Sequence, residues 1–105
     1  MSIDLGSCAV RETIVVNTRA SEYELIVLRG DEGNVLVRGG SHFTEFRSVL
    51  FVGSTAVDGS LHPRTIDIGL RMQFNCGDRL VITSPVQSLT RHPASAASTE
   101  CAAGR

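Results

Sequence analysis

A chain of 105 residues holds one domain, and a domain of this size buries roughly two thirds of its unfolded surface, enough for a core without disulfide or metal staples. Hydrophobic residues at 42% and charged residues at 20% exclude wholesale disorder. The net charge of −1 divides into −2 over residues 1–50 (five Arg, seven acids) and +1 over 51–105 (five Arg, four acids), so neither half is a nucleic-acid arm.

The N-terminal MSIDLGSCAV has no basic region leading into a long apolar run, so it does not read as a secretory signal. RETIVVNT, residues 11–18, is the first β-branched run and is predicted to be a strand. YELIVLR at 23–29 and NVLVR at 34–38 follow as a hairpin across GDEG, where Gly30 and Gly33 permit the positive φ of a tight turn. GGSHFTE at 39–45 is predicted to connect this hairpin to a fourth strand, EFRSVLFVG at 45–53. TIDIGLRMQF at 65–74 has the clearest period: Ile66, Ile68, Leu70, Met72 and Phe74 alternate with polar residues or glycine, which predicts one strand with an apolar face. NCGD at 75–78 supplies turn chemistry before RLVITSPV at 79–86, whose Pro85 belongs on an edge or at a bulge. The expected fold is therefore all-β: a small antiparallel sheet of about six strands, rolled into a barrel-like or sandwich domain over residues 1–90. The Ala/Ser-rich stretch at 91–105 is expected to be a loosely docked tail.

LIVL at 25–28, VLFV at 49–52 and LVI at 80–82 are apolar on both strand faces. A single sheet would leave half of each in water, so either the outside of a barrel is covered or chains associate. Too few residues remain to form a covering layer, and a homo-oligomer is expected. The segments YELIVLRGDEGNVLVRGGSHFTEF, FVGST, RTIDIGLRMQF and VITSPVQSL also resemble a pattern in small bacterial all-β proteins without an assigned activity. The resemblance covers roughly residues 12–89. It implies a single small domain and carries over no catalytic or binding residue.

Every basic side chain is Arg, and the absence of Lys removes Schiff-base, phosphate-loop and general-base lysines. Cys8, Cys76 and Cys101 are odd in number and far apart, without metal-ligand spacing, and read as reduced thiols of a cytoplasmic protein. No apolar stretch approaches the ~20 residues that span a bilayer. If the strands run up and down in order, the connections near 19–22, 39–45 and 75–78 share one end and those near 30–34 and 54–63 share the other. Strands of about eight residues separate the ends by more than ~20 Å. His42 and His62 then lie apart, with His62 read as a solvated loop histidine. Glu22, Asp78 and the four candidate ligand-binding residues Arg38, His42, Glu45 and Cys76 gather at one end. No residue is assigned as catalytic or metal-ligating, and no cofactor is implied. RGG at 38–40 occurs once rather than as a repeat, and RGD at 29–31 reads as a hairpin turn. Arg47, Arg71 and Arg79 are expected to pair across strands with Asp67 or Glu45. The expected function is a non-enzymatic, homo-oligomeric module that binds a small ligand or a protein partner, with no membrane role and nucleic acid disfavoured as a partner. The alternatives are a small-barrel nucleic-acid binder and a small enzyme with a pocket around His42.

Overall fold

The computed structural model describes residues 2–93. Nine strands follow in chain order: β1 Ser2–Asp4, β2 Thr13–Thr18, β3 Glu22–Arg29, β4 Asn34–Gly39, β5 Phe43–Thr55, β6 Leu61–Pro63, β7 Thr65–Asp67, β8 Arg71–Asn75 and β9 Leu80–His92. Single 3-10 turns at Leu5–Ser7 and Gly30–Glu32 are the helical elements among the described residues. None is a helix long and apolar enough to cross a membrane. β9 continues two residues past the compositional boundary at 90. The rest of the expected tail lies outside the described residues.

Six strands close a ring in the order β2–β3–β4–β5–β8–β9 and back to β2, each pair antiparallel. Chain order and ring order coincide, so the barrel is an up-and-down meander with β6 attached outside the ring along the lower part of β5. Closure satisfies strand edges that an open sheet would leave bare. Two long strands make it possible by changing partner midway. β5 pairs with β4 over Phe43–Leu50 and with β8 over Leu50–Thr55, while β9 pairs with β8 up to Pro85 and with β2 from Val86 onward.

Pro85 sits at the β9 changeover, where Arg71 to Gln73 on β8 faces the longer span from Pro85 to Ile82. This is a bulge, and the missing N–H of proline leaves no ladder donor orphaned there. The Thr83 hydroxyl repairs the gap: its Oγ1 accepts from the Met72 N–H at 3.1 Å and donates to the Ser84 carbonyl at 2.8 Å.

The predicted ten-residue strand at 65–74 is broken in two. Leu70 N–H donates to the Asp67 carbonyl at 3.2 Å, closing a β-turn in which Gly69 takes φ +92°. Ile68 occupies the turn and is 41% exposed instead of buried. The four-residue turn preserves side-chain parity, so Ile66, Met72 and Phe74 all still face the interior. Its first half leaves the barrel wall as β7 and pairs with β1, and Ile3, Leu5 and Ile66 join the core cluster from there.

Alternation fills the barrel as expected. Ile14 and Val16 of β2, Leu25 and Val27 of β3, and Val35 and Val37 of β4 are fully buried. Phe74 lies between Phe51 and Phe43, with ring centroids 5.5 and 5.7 Å away. Of the two turn glycines expected to need positive φ, only Gly33 does, at +81°. Gly30 is required instead by close approach, because a Cβ there would run into the Leu5 carbonyl oxygen.

Candidate binding surface on the barrel exterior

Because the barrel interior is packed with its own side chains, polar chemistry is confined to the ends and the outer wall. The meander sorts the turns as expected, with 19–21, 40–42 and 76–79 at one end. Sharing an end does not bring the candidate residues together. His42 lies in the β4–β5 turn just before β5 begins, and Cys76 in the β8–β9 turn. Among the described residues, no hydrogen bond or ion pair joins any two of Arg38, His42, Glu45 and Cys76.

Each of the four has its own surroundings. Arg38 lies on the outer wall of β4, opposite Glu24, and its guanidinium reaches the Glu24 carboxylate at 2.6 Å while lying 4.4 Å from the Phe46 ring centroid. His42 is exposed at the β4–β5 tip, its ring edge-on to that of Phe43 at 6.4 Å. Glu45 is exposed on β5 and makes no ion pair among the described residues. Cys76 is a free, half-buried thiol packed against the core, and its carbonyl accepts from Arg47 at 3.1 Å.

The arginine partners differ from those expected. Arg47 pairs with Asp78 at 3.8 Å, and Arg71 donates to the Thr83 carbonyl at 3.4 Å, so the β8–β9 turn and β9, rather than Asp67 or Glu45, supply their partners. Asp67 is engaged elsewhere, with His62 at 2.9 Å. His62 is therefore a strand residue with a partner and not a free loop histidine: β6 pairs with Gly53–Thr55, and β7, which follows β6 almost directly, holds Asp67 within reach of it. A carboxylate only accepts, so His62 Nδ1 carries the proton in this bond. Among the described residues, no three His, Cys, Asp or Glu side chains are grouped to hold a metal ion.

Two titratable groups near the start of β2 are displaced from their ordinary range. The Arg91 guanidinium, bonded to the Glu12 carboxylate, holds that carboxyl below the usual value against the opposing effect of burial, with the Ala9 N–H assisting. Burial, then the Glu12 carboxylate, pushes the Cys8 thiol up. A thiol so placed is a poor nucleophile at neutral pH.

Two grooves lie elsewhere, on the outer wall of β2–β3–β4. One groove of about 390 Å³ is lined by Arg11, Thr13, Ile26, Leu28 and Leu36. A second of about 370 Å³ lies further along the same strands, lined by Val15, Glu22, Glu24, Arg38 and Gly39. Of the four sequence candidates, only Arg38 belongs to this surface. Ile26 and Leu28 belong to LIVL at 25–28, which the sequence marked as apolar on both faces; Leu36 was not in a segment so marked. Arg11 carried no such signal: it precedes β2 and adopts φ +70°, and its N–H is bound to the Val27 carbonyl. Leu50, Leu80 and Ile82 form a separate outward patch across β5, β8 and β9, at 37%, 53% and 50% exposure.

Fold and surface together define a small, closed, up-and-down antiparallel β-barrel with a filled interior and an outer wall that is apolar in parts. Comparison with known proteins returns no matching family model, no matching curated protein and no matching solved structure. Function has to be read from the geometry alone.

Proposed function

We propose that this protein is a non-enzymatic interaction module that works as a homo-oligomer and binds a protein partner or small ligand on the outside of its barrel. The observation that carries this reading is the placement of apolar side chains. Phe43, Phe51, Met72 and Phe74 fill the interior, which leaves no room there for a ligand, while Leu50, Leu80, Ile82 and the Ile26–Leu28–Leu36 stripe are left facing outward. A cytoplasmic location goes with the reading, supported by the free thiols Cys8 and Cys76.

Size-exclusion chromatography with light scattering tests it. The expected mass is a small multiple of 11.2 kDa. A clean monomer at high concentration overturns the reading. The two alternatives have less behind them: Arg29, Arg38, Arg47 and Arg91 are each within ion-pair distance of a carboxylate, and the ring contact of His42 is with Phe43 rather than with a catalytic partner. Salt-sensitive retention on heparin would revive the nucleic-acid reading. Loss of a measured ligand affinity in His42→Ala and Glu45→Ala would revive the enzyme.

A further inference from the structure

The outer wall of β2–β3–β4 has a charge pattern that identifies what covers it. Register lays the outward residues in rows. Thr13, Ile26 and Leu36 form the apolar middle row; Val15, Glu24 and Arg38 form the next; and Asn17 and Glu22 lie one row beyond. On the other side of the middle row stand Leu28 and Arg11. Among these outward side chains the charges separate, with Arg11 at one end, Glu22 and the Glu24–Arg38 pair at the other and the apolar row between; the mutually paired Arg29, Asp31 and Glu32 lie beyond them in the β3–β4 connection. Arg11 contributes +1 at its end, while Glu22, Glu24 and Arg38 sum to −1 at theirs, so the face as a whole nets zero. Glu24 is bonded to Arg38, and neither Arg11 nor Glu22 has an ion-pair partner among the described residues.

Arg11 adds an independent observation. It is one of two non-glycine residues with positive φ among the described residues, a conformation that is unfavourable for a residue with a Cβ. The Arg11 N–H bond to the Val27 carbonyl ties the residue in that conformation to β3, and it holds a cation at the rim of an apolar groove.

We propose that this wall is a two-fold interface between two copies of the chain, with Ile26 and Leu36 of one copy against the same residues of the other, Leu28 over the partner's Glu24–Arg38 row, and Arg11 of each beside Glu22 and Glu24 of its partner. A two-fold axis through the middle row reverses the strand direction. It therefore brings the basic end of one face onto the acidic end of the other, and a face of zero net charge with separated signs becomes complementary to itself. The Leu50–Leu80–Ile82 patch lies across the ring and stays outside this contact. The inference rests on the homo-oligomeric reading above and specifies its interface.

The test uses the full chain, with each variant checked for native circular dichroism. Leu36→Arg is expected to abolish the dimer. Arg11→Glu and Glu22→Arg, each alone, are expected to weaken self-association by about tenfold or more, because both symmetry-related contacts become repulsive. Mixing those two variants is expected to yield a heterodimer tighter than either homodimer, since one contact is then native and the other is restored with signs exchanged. Ile82→Arg leaves this interface intact. A wild-type monomer would sink the homo-oligomeric reading and this interface together. An oligomer that ignores Leu36→Arg and Arg11→Glu but dissociates with Ile82→Arg would sink this interface alone. A monomer that dimerises only after removal of residues 94–105 would make that segment the occupant of the groove and overturn the proposal.

Discussion

Glu12 combines burial with charge at one position. Its carboxylate is nearly out of contact with water, accepts from the Ala9 N–H at 3.0 Å and is bonded to Arg91, far along the chain on β9. Because Arg91 holds the Glu12 carboxyl below its ordinary range, the pair contributes stability that is fully present above the unfolded glutamate pKa of about 4.3 and is lost as pH falls through the lower folded value. Glu12→Gln is therefore expected to unfold at lower urea than wild type at pH 7, with the gap narrowing at pH 3. Arg91 is partly exposed, so water rescues part of its lost pairing, and a cost of about 1–2 kcal/mol at neutral pH is expected. An unchanged gap between the two pH values would show that the pair does not carry the acid sensitivity. Neither partner advertised the contact in the sequence, since Glu12 lay in the first predicted strand and Arg91 at the start of the expected tail, with no sign that the two would meet.

At the scale of elements, the β9 bulge is the most exposed to a single change. Thr83 is buried, and its hydroxyl is the acceptor for the Met72 N–H in place of a ladder carbonyl. Thr83→Val keeps the shape and β propensity but orphans that donor, and a loss of about 1–3 kcal/mol is expected from denaturant titration. Thr83→Ser retains the hydroxyl and should recover most of it. Equal losses in the two variants would mean that the methyl packing matters and the hydrogen bond does not. Pro85 pointed to this bulge from the sequence, because a residue without an N–H is excluded from a regular ladder. The turn at Asp67–Leu70 was also signalled, by Gly69 inside an otherwise regular alternation, a common mark of a bend or bulge. The apolar period ran through it undisturbed because a four-residue turn returns the chain with the same parity, and so two short strands read as one.

For the whole molecule, Phe74 is the side chain on which the filled barrel depends. It is fully buried between Phe43, from the beginning of β5, and Phe51, from the same strand past its change of partner. Truncation removes contacts on both sides, and a closed ring of paired strands cannot collapse easily into the void. Phe74→Ala is expected to cost about 3–5 kcal/mol, a large share of the roughly 5–15 kcal/mol that holds a domain together, with Phe74→Leu losing less. Thermal unfolding followed by circular dichroism measures both. A melting temperature within a degree or two of wild type would show that the aromatic stack does not hold the core. Closure also accounts for the outward apolar residues. Strands whose inner face supplies the core must send every second side chain outside, and in a barrel without covering helices those residues await a partner from another chain.

The sequence alone determined the six strands of the ring and, for residues 65–74, which side faces inward, because the period of two is a local property of extended backbone and survives whatever the strand pairs with. Ile66, Met72 and Phe74 were readable on those terms, whereas β1 and β6 were not foreseen. Tertiary structure decided the rest: the closure of β9 onto β2, the change of partner along β5, and the pairs Glu12–Arg91 and His62–Asp67. All of these depend on the stagger between strands distant in sequence. A shift of one residue in that stagger sends a side chain to the other face, and bulges such as the one at Pro85 set it only once the ring has closed.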